Sequence, residues 1–151
     1  NYPSLHYHCV GMPIILQELK YFAQELGVLN KITFHGVIDN LSLYDFYNQA
    51  DIFVMLSQNQ DNGDVEGFGI SILEANYFGT PAIGSNNCGI VDAINEKTGV
   101  IVSCDNINEI IMGIDDLILS IDSYSSESKK WAISHSWEII GDSYQRILFN
   151  E

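Results

Sequence analysis

The chain has 151 residues, of which 46% are hydrophobic and 17% are charged, and this composition is typical of a globular domain rather than a disordered segment. Its charge is strongly acidic, because 20 Asp and Glu residues outnumber six Lys and Arg residues and give a formal net charge of −14. Between positions 32 and 128 a single basic residue, Lys97, stands against fifteen acidic ones. Nucleic acids and anionic membranes require clustered cations, so the composition argues against both as partners. Any phosphate ligand must be held here by groups other than cationic side chains.

Nothing in the sequence predicts secretion or a membrane span, because it has no signal peptide and no apolar run near the roughly 20 residues a span needs. It begins Asn-Tyr-Pro-Ser without Met, and we expect it to be cut from a larger protein. The odd number of cysteines, in no metal or CxxC spacing, predicts reduced thiols in a cytoplasmic protein. His6 and His8 alternate on a predicted strand; this could chelate a metal, but a pair of strand residues beside a sheet face is favoured. No metal site is predicted.

Strand-like and helix-like patterns alternate along the chain. Strands are predicted at 5–10, 31–35, 51–56, 81–85 and 99–102, and helices at 14–26, from an N-cap at Ser42 to 50, at 69–78, 89–95, 107–121, 127–134 and 137–150. The run at 51–56 is continuously apolar, which is typical of a strand buried on both faces. The alternation predicts an α/β fold, with one Rossmann-like parallel sheet, helices on both faces, and a single domain over 1–151. Ligands of such sheets bind at the loops that follow the strands.

The segment from Val65 to Ala75 carries the clearest chemistry. Gly67 and Gly69 at the mouth of a helix let a ligand approach the backbone closely. The free N–H groups of the first helical turn form an anion site without any Lys or Arg. An acidic domain that binds a phosphate requires an anion site of this kind.

Two carboxylates, Glu66 and Glu74, flank this turn. Carboxylates repel phosphate, so we expect them to accept hydrogen bonds from sugar hydroxyls. Taken singly, each has a structural interpretation, since a Glu near a helix N-terminus is stabilised by the dipole and a Glu further along can be a solvated face. Their occurrence together, around EGFG and after DIFVMLS, favours the ligand interpretation.

The ordered set of motifs resembles the C-terminal, donor-binding half of a family 4 glycosyltransferase, a retaining enzyme of the GT-B fold. Glu66 to Glu74 matches the family's E-x7-E motif. The flanking matches, in order, are Gly11 with Pro13, His35-Gly36, DIFV at 51–54, Ser57, Glu74-Ala75, GTPA at 79–82, Cys88-Gly89 and TGV at 98–100, with Ser136-Trp137 before a last helix.

The resemblance implies a role for each matching position. Glu66 would bind hydroxyls of the transferred sugar and is the expected catalytic residue. The diphosphate would be held by backbone N–H groups of the segment that follows, which comprises Gly67, Phe68, Gly69, Ile70 and Ser71. Glu74 would bind the ribose, and Gly36, Val37 and Ser57 would lie near the base. The substrate would be a nucleoside-diphosphate sugar, with no cofactor and no metal required.

The chain also departs from the family pattern. Cys88-Gly89 stands where Gly-Gly is usual, and Leu56 stands where a Pro usually precedes Ser57. The family's first strand and helix, which carry an Arg and a Lys for the diphosphate, have no counterpart here. In the usual order that strand lies between the second and the fourth, so their shared partner is missing. We expect the chain to pair with another copy, to rearrange, or to be part of a larger protein whose N-terminal domain holds the acceptor.

Three other functions stay open at this point. A non-catalytic subunit that keeps the fold for binding or assembly is the main alternative, although its retention of both Glu66 and Glu74 is then unexplained. A nucleotide-sugar epimerase of the same architecture ranks lower, because it lacks the EGFG and Glu-Ala arrangement. A nicotinamide-dependent dehydrogenase is disfavoured because Gly11-Met12-Pro13 is not GxGxxG.

Overall fold

The computed structural model describes residues 2–12, 14–59, 63 and 65–149. The backbone forms two compact units, Asn1–Asp45 and Phe46–Glu151, which divide within the second helix. Five parallel strands belong to two sheets, one of two strands and one of three. The predicted α/β class with parallel strands is therefore confirmed.

The first unit contains strand β1 (Tyr7–Val10), helix α1 (Leu16–Glu25) and strand β2 (Ile32–Gly36). β1 and β2 pair in parallel, with Tyr7 opposite Ile32. At their carboxyl ends the Gly11 N–H donates to the Gly36 carbonyl over 2.9 Å. Both glycines have positive φ, 131° and 68°, which other residues rarely adopt. The pairing of β1 with β2 thus ends at two glycines, both of which belong to the ordered set of motifs.

The histidine side chains of this unit contact one another and Thr33 along its two neighbouring strands. His6 Nε2 lies 2.8 Å from Thr33 Oγ1, and His8 Nδ1 lies 2.9 Å from His35 Nε2. The two rings of the second pair stack with centroids 5.2 Å apart. These contacts are those of side chains along neighbouring strands.

Helix α2 (Asn40–Gln49) begins before the predicted N-cap at Ser42, and that prediction is wrong. Asp39 performs the capping instead, because its two carboxylate oxygens accept from the N–H and the hydroxyl of Ser42, each over 2.9 Å. The bond from the Ser42 backbone, with the hydroxyl bond second, lowers the pKa of Asp39. A carboxylate accepts more strongly than a serine hydroxyl, which explains why the acidic residue three positions earlier caps the helix.

The second unit holds the three-stranded sheet and most of the helices. In chain order after α2 its elements are β3 (Phe53–Met55), α3 (Ile70–Phe78), β4 (Ala82–Ser85), α4 (Ile90–Ala93), β5 (Gly99–Val102), α5 (Ile107–Leu119), α6 (Ile121–Ser134) and α7 (Trp137–Phe149). The strand order is β3-β4-β5 and every pairing is parallel. Each face of this sheet packs on its own cluster, one around Ile72 and Ile90 and one around Ile83 and Leu117. Helices therefore cover both faces of this sheet, as predicted.

Burial differs sharply between the strands of this sheet. Every residue of β4 is buried, whereas all three residues of β3 are only half-buried. The prediction that the run at 51–56 is buried on both faces is therefore wrong. The reason is that β3, within the described residues, pairs with β4 alone and so lies at an edge. β1 likewise pairs on one edge only, with β2, among those residues.

Helix α6 is longer than the sequence indicates, because it begins at Ile121 and not near 127. Its first half is rich in serine, which has only a moderate helix propensity. Packing overrides that preference at Tyr124, which packs against the cluster around Ile83 and Leu117 and donates its hydroxyl to Asp116 Oδ2 over 2.7 Å. Predicted helices at 107–121 and 137–150 are found as α5 and α7, although position 150 lies outside the described residues. Among the residues described, no helix is both long and apolar enough to cross a membrane.

Candidate functional site

Helix α3 begins and ends at two positions whose backbone conformation favours glycine. Gly69, its N-cap, has a φ of 86°, and Gly79, its C-cap, has a φ of 90°. A Cβ at Gly69 would also lie 2.9 Å from Ile72 Cδ1. The predicted helix at 69–78 is thereby confirmed to within one residue. Its first turn, with N–H groups that have no intrahelical acceptor, faces the loop that carries Glu66.

The half-buried Glu66 holds this helix start together. Its Oε1 accepts a hydrogen bond from the Gly69 N–H over 3.1 Å. Its backbone carbonyl accepts one from the Gly89 N–H over 3.0 Å. The carboxylate is thus fixed at the positive end of α3, where the helix dipole also stabilises it.

The backbone of the EGFG segment (66–69) lies in close contact with Gly89. A Cβ built at Gly89 would lie 1.9 Å from the Gly67 carbonyl oxygen and 2.9 Å from Phe68 Cα. Phe68 packs on the core cluster that contains Ile72, and its ring centroid lies 6.4 Å from that of His135. The position of Glu66 is therefore set by a close backbone contact on one side and an anchored aromatic ring on the other.

Glu74 is the fifth residue of α3, about one turn in, and its side chain is exposed. The buried Tyr47 donates its hydroxyl to Glu74 Oε2 over 3.1 Å. Burial, followed by the charge of Glu74 and this hydrogen bond, raises the pKa of Tyr47 well above its ordinary value. Tyr47 is consequently a neutral donor at physiological pH, and the carboxylate has one fixed partner.

The loops after β3, β4 and β5 are joined by side-chain bonds. Ser85 Oγ donates to the Ser57 carbonyl over 2.6 Å, and Gln58 Nε2 donates to Asp105 Oδ1 over 3.1 Å. Cys88 Sγ lies 2.7 Å from Asn59 Oδ1. Ser57 is thus held at the carboxyl edge of this sheet.

Cys88 has a φ of 59°, in the left-handed region that favours glycine. Cys88→Gly is expected to raise the free energy of unfolding by about 1 kcal/mol, since this region costs other residues roughly 1–2 kcal/mol. Urea unfolding of the intact protein measures the change. Cys104→Gly, a thiol at ordinary φ, is the matched control and should lower stability. A loss of stability in Cys88→Gly would contradict the prediction.

The remaining predicted positions belong to the first unit. Gly36 ends β2, and Val37 follows it with its side chain 78% exposed. They lie at the carboxyl edge of their own sheet, as expected. Positions 61, 62 and 64 of the loop before Glu66 lie outside the described residues. In the part of the chain that is described, no group of three or more His, Cys, Asp and Glu side chains is arranged to hold a metal.

Two residues that support the site were not predicted from sequence. Tyr47 lies in the predicted helix that runs to position 50, and the signal was available, because a tyrosine hydroxyl on a buried face requires a partner. Gly89 was noted only as part of a motif. The signal in the sequence is a glycine in the short connection between a buried strand and the next helix, where another backbone can approach closely.

Comparisons with known proteins identify the family. The model of the family "Glycosyl transferases group 1" matches residues 1–131. The GDP-mannose-dependent alpha-(1-6)-phosphatidylinositol monomannoside mannosyltransferase of Mycobacterium tuberculosis is 29% identical over 133 residues, which are 85% of this chain and 34% of that protein. Its namesake in Mycolicibacterium smegmatis is 32% identical over 111 residues, covering 72% of this chain and 29% of that protein.

Solved structures resemble the whole fold. Sucrose-phosphate synthase from Thermosynechococcus elongatus aligns with a TM-score of 0.73 at 22% identity, over 95% of this chain and 39% of that one. Anabaena HepE in complex with UDP and glucose aligns with a TM-score of 0.79 at 18% identity, over 99% of this chain and 41% of that one.

The chain belongs to the glycosyl transferases group 1, and its fold is that of the C-terminal domain of a family 4, GT-B glycosyltransferase. It spans about a third of the length of the mannosyltransferases that it matches.

Proposed function

We propose that the protein transfers a sugar from a nucleoside-diphosphate sugar to an acceptor, with retention of anomeric configuration, and that this chain is the donor-binding portion. The observation that carries the proposal is the arrangement at the start of α3. There the Glu66 carboxylate bonds to the Gly69 N–H, and Glu74 stands about one turn further along. Membership of a family of glycosyltransferases supports the same function.

Each part of the donor has an assigned partner in this proposal. Glu66 binds hydroxyls of the transferred sugar, and Glu74 binds those of the ribose. The diphosphate is held by the amides of the segment that leads into α3, namely those of Gly67, Phe68, Ile70 and Ser71. The resemblance also assigns the Gly69 N–H to the diphosphate, but this group donates to Glu66. These amides and the helix dipole stabilise the charge that develops on the diphosphate as the sugar leaves.

Ser57, Gly36 and Val37 are assigned to the base by the resemblance alone. Ser57 lies in the second unit and the other two lie in the first. The glycines at 11 and 36, with positive φ, leave the end of the two-stranded sheet without bulky side chains.

The acceptor and the diphosphate-binding cations are assigned to protein outside this chain. The acidic composition supports this, because one basic residue among positions 32–128 cannot neutralise a diphosphate. The leaving phosphate assists deprotonation of the acceptor on the same face, so no separate base is assigned. No metal is required, and the three free thiols fit a cytoplasmic enzyme.

The decisive experiment is a thermal-shift screen of the intact protein against UDP-, GDP- and ADP-sugars, without added metal. A donor present at 100 times its Kd stabilises the folded state by about 2.7 kcal/mol, so the true donor will stand out. The relatives named as GDP-mannose-dependent make GDP-mannose the first compound to test. If no nucleotide sugar stabilises the protein and no transfer is detected, the proposal is wrong. Binding without turnover would indicate a non-catalytic subunit.

A further inference from the structure

Tyr47 connects a buried part of the fold to the exposed Glu74 carboxylate. The tyrosine is 6% exposed, and its hydroxyl donates to Glu74 Oε2 over 3.1 Å. The two residues are 27 positions apart, on α2 and α3. The contact lies wholly within the second unit.

The ring of Tyr47 is held on two sides by aromatic residues. It meets Phe53 of β3 edge-on, with centroids 5.8 Å apart, and stacks on Phe78 of α3 at 6.1 Å. Aromatic pairs at these separations have preferred geometries, so they restrict the tilt of the ring. The hydroxyl therefore points in a fixed direction.

The backbone of Tyr47 is fixed to the far end of α3. Thr80 Oγ1 donates to the Tyr47 carbonyl over 2.5 Å, and Asn76 Nδ2 donates to the Thr80 carbonyl over 2.9 Å. Both Thr80 and Asn76 are buried. The backbone of Tyr47 is thus hydrogen-bonded at the C-terminal end of α3, the helix that carries Glu74, so that the two residues move together.

An exposed glutamate without a partner samples several rotamers, and a ligand that uses it must restrict them at an entropic cost. A carboxylate has about four lone-pair positions, and the bond from Tyr47 occupies one of them. The others stay open to hydroxyl donors. The buried tyrosine therefore reduces the cost of ordering Glu74 without removing its capacity to bind.

We infer that Tyr47 is a positioning residue, which orients the Glu74 carboxylate toward the ribose hydroxyls of the donor. The inference rests on the proposed function, because it takes the ribose as the ligand of Glu74. It predicts that loss of the Tyr47 hydroxyl weakens binding only where those hydroxyls are present.

The test uses Tyr47→Phe in the intact protein, which keeps the packed ring and removes only the hydroxyl. Calorimetry measures the affinity for UDP and GDP, and for their 2′,3′-dideoxy counterparts. Whichever ribonucleotide binds the protein should bind Tyr47→Phe about five- to tenfold more weakly, which is within the range that the ordering of one flexible side chain supplies. Its dideoxy form should bind unchanged. In turnover assays the donor KM should rise while kcat stays constant, because the ribose contact is the same in ground and transition states.

Tyr124→Phe is the matched control. Tyr124 also donates to a carboxylate, Asp116 Oδ2 over 2.7 Å, and this bond joins α6 to α5. The control should leave every affinity unchanged. In the double variant, Tyr47→Phe should add nothing to Glu74→Ala, since both remove one interaction.

Equal losses for the ribonucleotide and the dideoxynucleotide in Tyr47→Phe would overturn the inference, because they would indicate a merely structural role. If Glu74→Ala weakens the binding of the ribonucleotide and of the dideoxynucleotide equally, the ribose assignment of the proposed function fails instead. Should Tyr47→Phe not fold, 3-fluorotyrosine at position 47 retains the ring and strengthens the donor. Ribonucleotide binding should then tighten, and unchanged binding would overturn the inference.

Discussion

Glu66→Ala is expected to lower kcat for sugar transfer by about 10²- to 10³-fold, the loss typical when one preorganised polar contact to a transition state is removed. The sugar gains positive charge as its bond to the diphosphate breaks, and a carboxylate fixed beside it stabilises that charge. The structure holds this carboxylate in place through the Gly69 N–H. Steady-state kinetics of the intact protein with its donor measure the loss.

The affinity for the nucleoside diphosphate without its sugar distinguishes a catalytic role of Glu66 from a role only in capping α3. If Glu66 addresses the sugar, its removal leaves the Kd for the bare nucleotide within about twofold of wild type, since that ligand lacks the contact. If Glu66 only caps α3, Glu66→Ala should cost about 1 kcal/mol of stability and leave kcat unchanged. That second pattern would contradict the catalytic assignment.

Glu109→Ala provides the matched control for Glu66→Ala. The Glu109 carboxylate, in the first turn of α5, also accepts a backbone N–H, that of Ser103 directly after β5 over 2.8 Å, and has no assigned contact with the donor. We expect a similar loss of stability and normal turnover. Glu66→Gln retains an acceptor for the Gly69 N–H and removes only the negative charge. It should therefore lower kcat without the loss of stability.

The sequence was sufficient to predict features encoded by neighbouring residues. The bounds of α3 follow from Gly69 and Gly79, because both adopt left-handed backbone that terminates a helix. β5 was predicted residue for residue at Gly99–Val102, where a glycine precedes an apolar run. The order of strands and helices likewise follows from periodicity, which depends only on local spacing.

Features that depend on distant contacts were not predictable in the same way. The partial exposure of β3 depends on whether a strand pairs with its second edge, and hydropathy does not encode this. The helical start of α6 depends on the packing of Tyr124 against the cluster around Ile83 and Leu117. The contact of Tyr47 with Glu74 joins residues 27 positions apart, and a tyrosine on an apolar helix face is usually a core residue. These cases share one cause, since tertiary contacts override or complete local preferences.

Gly89→Ala is expected to affect both stability and activity, although it adds one methyl group. Gly89 has a φ of −72°, so alanine meets no backbone strain there. The cost comes from the neighbour, because the new Cβ would lie 1.9 Å from the Gly67 carbonyl oxygen and 2.4 Å from its carbon. Both are backbone atoms and cannot rotate away. We expect a loss of about 3 kcal/mol, at the upper end for overpacking, measured by urea unfolding.

The same displacement should reach the Glu66 carboxylate. To admit the methyl group, the Gly67 backbone must move away from Gly89, and the hydrogen bond from the Gly89 N–H to the Glu66 carbonyl must lengthen. A shift of about 1 Å at a reacting group costs roughly 10²-fold in rate, so the folded fraction of Gly89→Ala should have a kcat near that of Glu66→Ala. Gly141→Ala is the control, since a Cβ there meets nothing within 4 Å and alanine favours its helix. Normal turnover in folded Gly89→Ala would mean that the Gly67 backbone yields without moving Glu66, and the tight contact would then serve stability alone.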